Sequence, residues 1–182
     1  MKKESIISIG NGILLIAVFV LALSDTIRFP LIFSYTWHKI LHILGTVLFF
    51  GNMVSGPVWV SYAFFSKDPK IIDFSFKLLR ITDVSLTITG LDLLILNGLC
   101  LSSVFGGLKA QAWIYHSVIL MFVMWGLSIP VIFIQEKLYQ AHEEGGNSSP
   151  QFKKYLVLWS IFGTLVTIPP SIIFYLMIAK TT

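Results

Sequence analysis

Two histidines at the start of a long apolar segment are the residues of this chain best suited to cofactor chemistry. His38 and His42 lie one helical turn apart, and His42 lies deeper in a stretch of membrane-spanning character. Imidazole is costly to bury in hydrocarbon, so an intramembrane histidine is a functional-site hypothesis by default. Neutral imidazole is an axial ligand of haem iron, but it also serves as a hydrogen-bonding group between helices. Both interpretations are open for this pair.

His116 supplies an imidazole on another predicted helix. With the orientation derived below, His42 and His116 each lie roughly 8 Å below the outer ends of their helices, at the 1.5 Å rise per residue of an α-helix. Two imidazoles at one depth in a bundle can hold a b-type haem between them. His38 could replace His42 as a ligand, Trp37 could pack on the macrocycle, and Asn97 reaches a similar depth.

For the other polar residues, a structural role must be considered beside a functional one. Asp92 lies near the middle of an apolar run. It could act as a proton relay or as an acceptor for an imidazole N–H. Alternatively, it is protonated and hydrogen-bonded to another helix. His38, close to Lys39 at the membrane surface, is expected to be solvated. A metal site built from His38 and His42 alone lacks ligands.

The composition indicates the elements that must position these residues. The chain has 182 residues, of which 55% are hydrophobic and 12% charged, whereas a soluble domain is about 25% charged. We expect an all-α polytopic membrane bundle, a single domain over residues 1–182 with a four-helix core and an N-terminal anchor helix. The anchor resembles a signal peptide that is retained. The five predicted transmembrane helices cover residues 6–23, 37–65, 84–104, 112–134 and 155–178.

The segments between these runs are predicted as loops, notably the charged stretches 66–80 and 135–154. Within the second run, small and polar residues share one helical stripe about a quarter-turn wide, which is typical of a helix–helix interface. The stripe consists of His38, His42, Gly45, Phe49, Asn52 and Gly56.

The charges predict an orientation and exclude some partners. Of the 13 Lys and Arg residues, only Arg28, Lys39, Lys109 and Lys180 fall on the side of the C-terminus; the others, including Lys2, fall on the side of the N-terminus. The positive-inside rule then places the N-terminus in the cytoplasm and the C-terminus outside. The charges form no basic patch, so we expect no nucleic-acid binding.

The residues around His42 form a motif that resembles a known family. They read Trp37-x-Lys39-x-x-His42-x-Leu44, followed by Gly45, Phe50-Gly51 and Pro57. This is similar to a family of bacterial integral membrane proteins of unknown function, related to the HemJ-type and CopD-type multi-helix proteins. The resemblance covers about Tyr35 to Thr182. It implies a bacterial inner membrane, and a tetrapyrrole role for His42 alone, because HemJ-type proteins are linked to protoporphyrinogen oxidation and haem.

The leading functional prediction is an inner-membrane protein that binds haem b or a related tetrapyrrole near its outer face. Its role would be electron transfer or haem handling and, if it is an enzyme, it would be a membrane oxidoreductase. His42 and His116 would be the ligands and Asp92 a buried polar partner. One alternative is a non-catalytic accessory or scaffold subunit of a larger membrane complex. Another is a protein that binds a lipid or a quinone, with its pocket under residues 24–36.

Overall fold

The structure, a computed structural model, describes residues 3–180, which form helices and connecting segments without any strand. Five continuous helical segments are long and apolar enough to cross a membrane, which confirms the predicted all-α polytopic bundle. A π-helical turn, Asp83–Ile88, joins α3 to α4, and a 3-10 turn, Ser103–Phe105, follows α4. The α-helices are α1 Lys3–Leu23, α2 Tyr35–Ser66, α3 Pro69–Thr82, α4 Thr89–Ser102, α5 Ala112–Gly145 and α6 Pro150–Ala179.

Much of the sequence predicted as the two charged loops is helical. Asp68 caps α3 by accepting a hydrogen bond from the backbone N–H of Lys70, and Pro69 occupies the first turn. Ser149 and Pro150 begin α6 in the same way. Both pairs combine an N-cap side chain with a proline whose missing N–H costs nothing at that position. The turns at this end of the bundle therefore shrink to a few residues.

The helices are longer than the hydrocarbon layer is thick. α2 has 32 residues, roughly 48 Å at 1.5 Å per residue, against about 30 Å of hydrocarbon. Part of each long helix therefore lies at or beyond the headgroup region. Lys2, which contributes to the predicted orientation, lies outside the described residues.

Two antiparallel helix hairpins form the bundle: α2 packs against α3 and α4, and α5 packs against α6. In the first hairpin, α2 and α4 approach each other closely at two glycines. A Cβ on Gly45 would lie 2.4 Å from the backbone N of Leu94, and one on Gly90 would lie 2.6 Å from the backbone N of Phe49. Small residues allow such backbone approach inside membranes. The predicted stripe on α2 therefore lies at the interface with α4.

Two apolar clusters connect the hairpins, one at each end of the bundle. Around Phe19 of α1, buried residues of α2, α4, α5 and α6 pack together in the cluster we call the Phe19 cluster. Around Phe152 of α6, the Phe152 cluster joins residues of α2, α3, α5 and α6. The outside of the bundle is also apolar: Phe65 is 83% exposed and Tyr62 76% exposed. Such a surface suits contact with lipid.

Candidate functional site

His38 is a buried, fully hydrogen-bonded residue. Its Nε2 accepts hydrogen bonds from the backbone N–H groups of Ile32 and Phe33, each at 3.1 Å. Its Nδ1 therefore carries the proton and donates to Asn97 Oδ1 at 2.8 Å. With 2% of its surface exposed, His38 is not solvated, and that prediction was wrong. The side chain attaches the segment after α1 to α2 and α4.

Replacing His38 with alanine should loosen residues 24–34. The change leaves two backbone N–H groups and the Asn97 amide without their partner, and each unsatisfied buried group costs about 1–3 kcal/mol. We expect the amides of Ile32 and Phe33 to exchange with deuterium at least about tenfold faster. The control is His116→Ala, because His116 is exposed. Equal exchange in both variants would contradict this role.

His42 and His116 have different surroundings. His42 is half-buried and its Nδ1 donates to the carbonyl oxygen of Leu94 at 2.7 Å. The ring packs against α4 at Gly98, where an added Cβ would lie 3.0 Å from His42 Cε1. His116 is exposed on α5, beside the ring of Tyr115. Their pairing as haem ligands stays a prediction, and these contacts give it no support.

Of the predicted site residues, the structure joins His38 to Asn97 by a hydrogen bond, whereas Trp37 and Asp92 have other surroundings. Trp37 is 60% exposed. Asp92 is half-buried and accepts a hydrogen bond from Asn11 Nδ2 at 3.0 Å, so its partner is an amide of α1 and not an imidazole. Within the described part of the chain, no three His, Cys, Asp or Glu side chains are grouped to hold a metal ion.

A polar network that the sequence interpretation missed is centred on Asp83, in the π-helical turn. Asp83 accepts hydrogen bonds from Asn52 Nδ2 at 3.3 Å and from Gln135 Nε2 at 3.0 Å. Asn52 Nδ2 also donates to Thr87 Oγ1, and Gln135 Oε1 accepts from Trp159 Nε1. The network thus connects α2, the π-helical turn, α5 and α6. Such turns are frequent at functional sites.

Arg80 lies beside this network and contacts it through Tyr139. Its guanidinium carbon is 3.7 Å from the centre of the Tyr139 ring, and Tyr139 OH accepts a hydrogen bond from Gln135. Arg80 and Asp83 lie one turn apart in the sequence, but no ion pair joins them. Instead, Asp83 faces the two amides and Arg80 stacks on an aromatic ring.

A cavity of about 720 Å³ lies between the two hairpins and α1, and both Arg80 and Asp83 line it. Most of its polar lining side chains belong to the Asp83 network or contact it, and the rest of its wall is mostly apolar. Gly12 of α1, Gly126 of α5 and Gly163 of α6 also line it, and an added Cβ on any of them would meet nothing within 4 Å. Part of the cavity volume therefore exists because these positions are glycines, which have no side chain to fill it.

A second open space lies under the segment after α1, where the sequence suggested a pocket. Its volume is about 670 Å³, and it lies between residues 22–31 and 99–108. Its charged groups include Asp25, which forms an ion pair with Lys109 at 3.2 Å. This space lacks the buried polar network of the inter-hairpin cavity, which is the stronger candidate site.

Comparisons with known proteins identify the family of this chain but no individual relative. No curated protein matches it, and no solved structure matches it. A family model described as "predicted integral membrane protein (DUF2269)" matches residues 36–181, which include α3 to α6, α2 without its first residue, and all of the Asp83 network. Since this match covers most of the chain, the protein belongs to the DUF2269 family of integral membrane proteins.

Proposed function

We propose that the protein binds a lipid-like amphiphile in the cavity between its two hairpins. The observation that carries the proposal is the combination of a 720 Å³ space with a polar end and an apolar body. Pockets of about 300–1,000 Å³ lined by apolar groups and a few convergent polar ones are typical of small-molecule sites. Asp83 lies within the helical segment Pro69–Phe105, which is long and apolar enough to cross a membrane, and an ionisable side chain in such a segment is a functional-site hypothesis by default.

The shape of the cavity suits a long apolar tail. Its wall on α5 extends from Phe122 to Tyr139, roughly 25 Å along the helix at 1.5 Å per residue. Ile16, Leu91 and Ile129 contribute apolar surface from three different helices. Removing an acyl or isoprenoid chain from water onto such a wall is favourable in proportion to the apolar area that is buried.

Other roles remain proposals with less support. A haem protein active in electron transfer would use His42 or His116, but neither lines the inter-hairpin cavity. An accessory subunit of a larger complex would use the exposed apolar surface, which lipid alone also explains. The relation to HemJ-type and CopD-type proteins, the inner-membrane location and the orientation of the termini also remain predictions.

Filling the cavity should expel its ligand. Gly12→Phe places a ring in the cavity without a backbone clash, because a Cβ there meets no atom within 4 Å. We expect the purified variant to retain about tenfold less co-purifying amphiphile than the wild type, since lost contacts of 1.4 kcal/mol already give that factor. The measurement is native mass spectrometry after mild delipidation, followed by extraction of the bound molecule.

The matched control is Gly10→Phe, on the same helix but exposed and outside the cavity. It should retain the ligand as the wild type does. Equal retention by both variants, or a wild type that binds no amphiphile, would overturn the proposal. Extraction separates a phospholipid from a quinone by its phosphorus content. Haem absorbance in the purified protein would instead favour the haem role.

A further inference from the structure

We propose that the amphiphile carries an anionic phosphate in its head and that Arg80 binds this phosphate. The inference rests on the proposed function, because it assigns the chemistry of the ligand head in the same cavity. The occupant would be a phospholipid, with its phosphate at the end of the cavity near α3 and its tails along α4 and α5.

No acidic side chain that the structure describes is paired with the guanidinium of Arg80. Within residues 6–180, whose side chains the structure describes, no Asp or Glu oxygen lies within 4.0 Å of its nitrogens. Arg80 is half-buried and lines the cavity. A charge in such a place is normally compensated by a partner. The open space beside Arg80 leaves room for a partner that the ligand supplies.

The neighbours of Arg80 direct it towards an anion. Its guanidinium stacks on Tyr139, which is itself 5% exposed and held by Gln135. Stacking fixes the plane of the guanidinium, and its planar fork of N–H groups matches the geometry of phosphate oxygens. Asp83, the nearest acid in sequence, already accepts hydrogen bonds from Asn52 and Gln135. It therefore does not compete for the guanidinium.

The depth of Arg80 also fits a phosphate. Lys70, Asp73 and Lys77 precede it on α3 and are exposed, whereas the predicted apolar run begins at Val84. Arg80 thus lies at the border between polar and apolar residues, where lipid phosphates lie. From Arg80, the lining residues continue along the helix to Leu91, roughly 16 Å further at 1.5 Å per residue. The head and the tails of one lipid can therefore be accommodated together.

The test compares two probes with identical acyl chains, phosphatidylglycerol and diacylglycerol, titrated into delipidated protein and followed by native mass spectrometry. The wild type should bind phosphatidylglycerol about tenfold more tightly, because hydrogen bonds between a guanidinium and a phosphate are stronger than those between neutral groups. Arg80→Gln should remove this preference and leave diacylglycerol binding unchanged. Arg80→Lys should keep part of it, since a lysine retains the charge without the planar fork.

Lys77→Gln is the matched control, because Lys77 is exposed on the same helix one turn earlier and does not line the cavity. It should keep the full preference. A wild type without a preference, or an Arg80→Gln variant that retains it, would overturn the assignment of the head. If Gly12→Phe blocks both probes while Arg80→Gln changes neither, only this inference fails. If Gly12→Phe blocks neither probe, the proposed function fails as well. Displacement of phosphatidylglycerol by inorganic phosphate alone would identify a free anion as the ligand.

Discussion

Gly45→Ala should separate α2 from α4 and destabilise the protein more than any other single-methyl change on α2. The added carbon would lie 2.4 Å from the backbone N of Leu94 and 2.7 Å from the carbonyl oxygen of Gly90. Both are backbone atoms, so no side chain can rotate away and the helices themselves must move apart. Overpacking of this kind costs typically 1–3 kcal/mol, and we expect about 3 kcal/mol here.

The measurement is the unfolding midpoint in a detergent titration, followed by the fluorescence of the tryptophans. Gly51→Ala provides the control, because Gly51 lies on the same helix and is exposed, and its added Cβ would meet nothing within 4 Å. Its midpoint should equal that of the wild type or rise slightly, since alanine favours helix over glycine. If the two variants unfold at the same midpoint, the close crossing does not determine the stability.

Asp83→Leu should have the second large effect. The change keeps the approximate size of the side chain but removes the acceptor for one N–H of Asn52 and one of Gln135. Removing one partner leaves the others buried and unsatisfied, which costs more than the hydrogen bond itself. We expect a loss of about 3 kcal/mol in the free energy of unfolding, since each of the two amides left without its acceptor costs about 1–3 kcal/mol. The same detergent titration measures it.

A double-substitution cycle distinguishes this network effect from a simple packing defect. Within the network, Gln135→Leu should cost clearly less in the Asp83→Leu background than in the wild type, because the amide it removes has already lost its acceptor. Asp25→Asn is the control: its ion pair with Lys109 is exposed and contributes at most about 1 kcal/mol. Additive costs for Asp83 and Gln135 would show that the two residues are not energetically coupled.

The helices could be predicted from the sequence because their signals are local. Apolar runs of sufficient length predict membrane helices, and the stripe on α2 predicted the face that packs on α4. The lengths of α3 and α5 could not be predicted in the same way, since their ends are charged and suggest loops. The Asp68-Pro69 and Ser149-Pro150 pairs are helix-start signals that charge alone obscured. For the starts of α3 and α6, the N-cap residue followed by proline predicts the helix boundary better than the charge of the segment does.

The candidate site was less predictable because its geometry is non-local. Asp83, Gln135 and Trp159 are separated by tens of residues, and only the packing of the two hairpins brings them to one network. The histidines were predicted as site residues from their residue type and their depth in the membrane. Depth along one helix does not determine which side chains of the neighbouring helices face it. His38 became buried because residues 32 and 33 fold back over it, and nothing in the periodicity of α2 indicates that loop contact.

The close fit of His42 against Gly98 has an evolutionary consequence. A methyl group at position 98 would lie 3.0 Å from the imidazole carbon, so the ring and the glycine share one small volume. Members of the family that keep a histidine at position 42 should keep glycine at position 98. Members that carry alanine or serine at position 98 should have a smaller side chain at position 42. The two positions are therefore expected to covary through the volume they share.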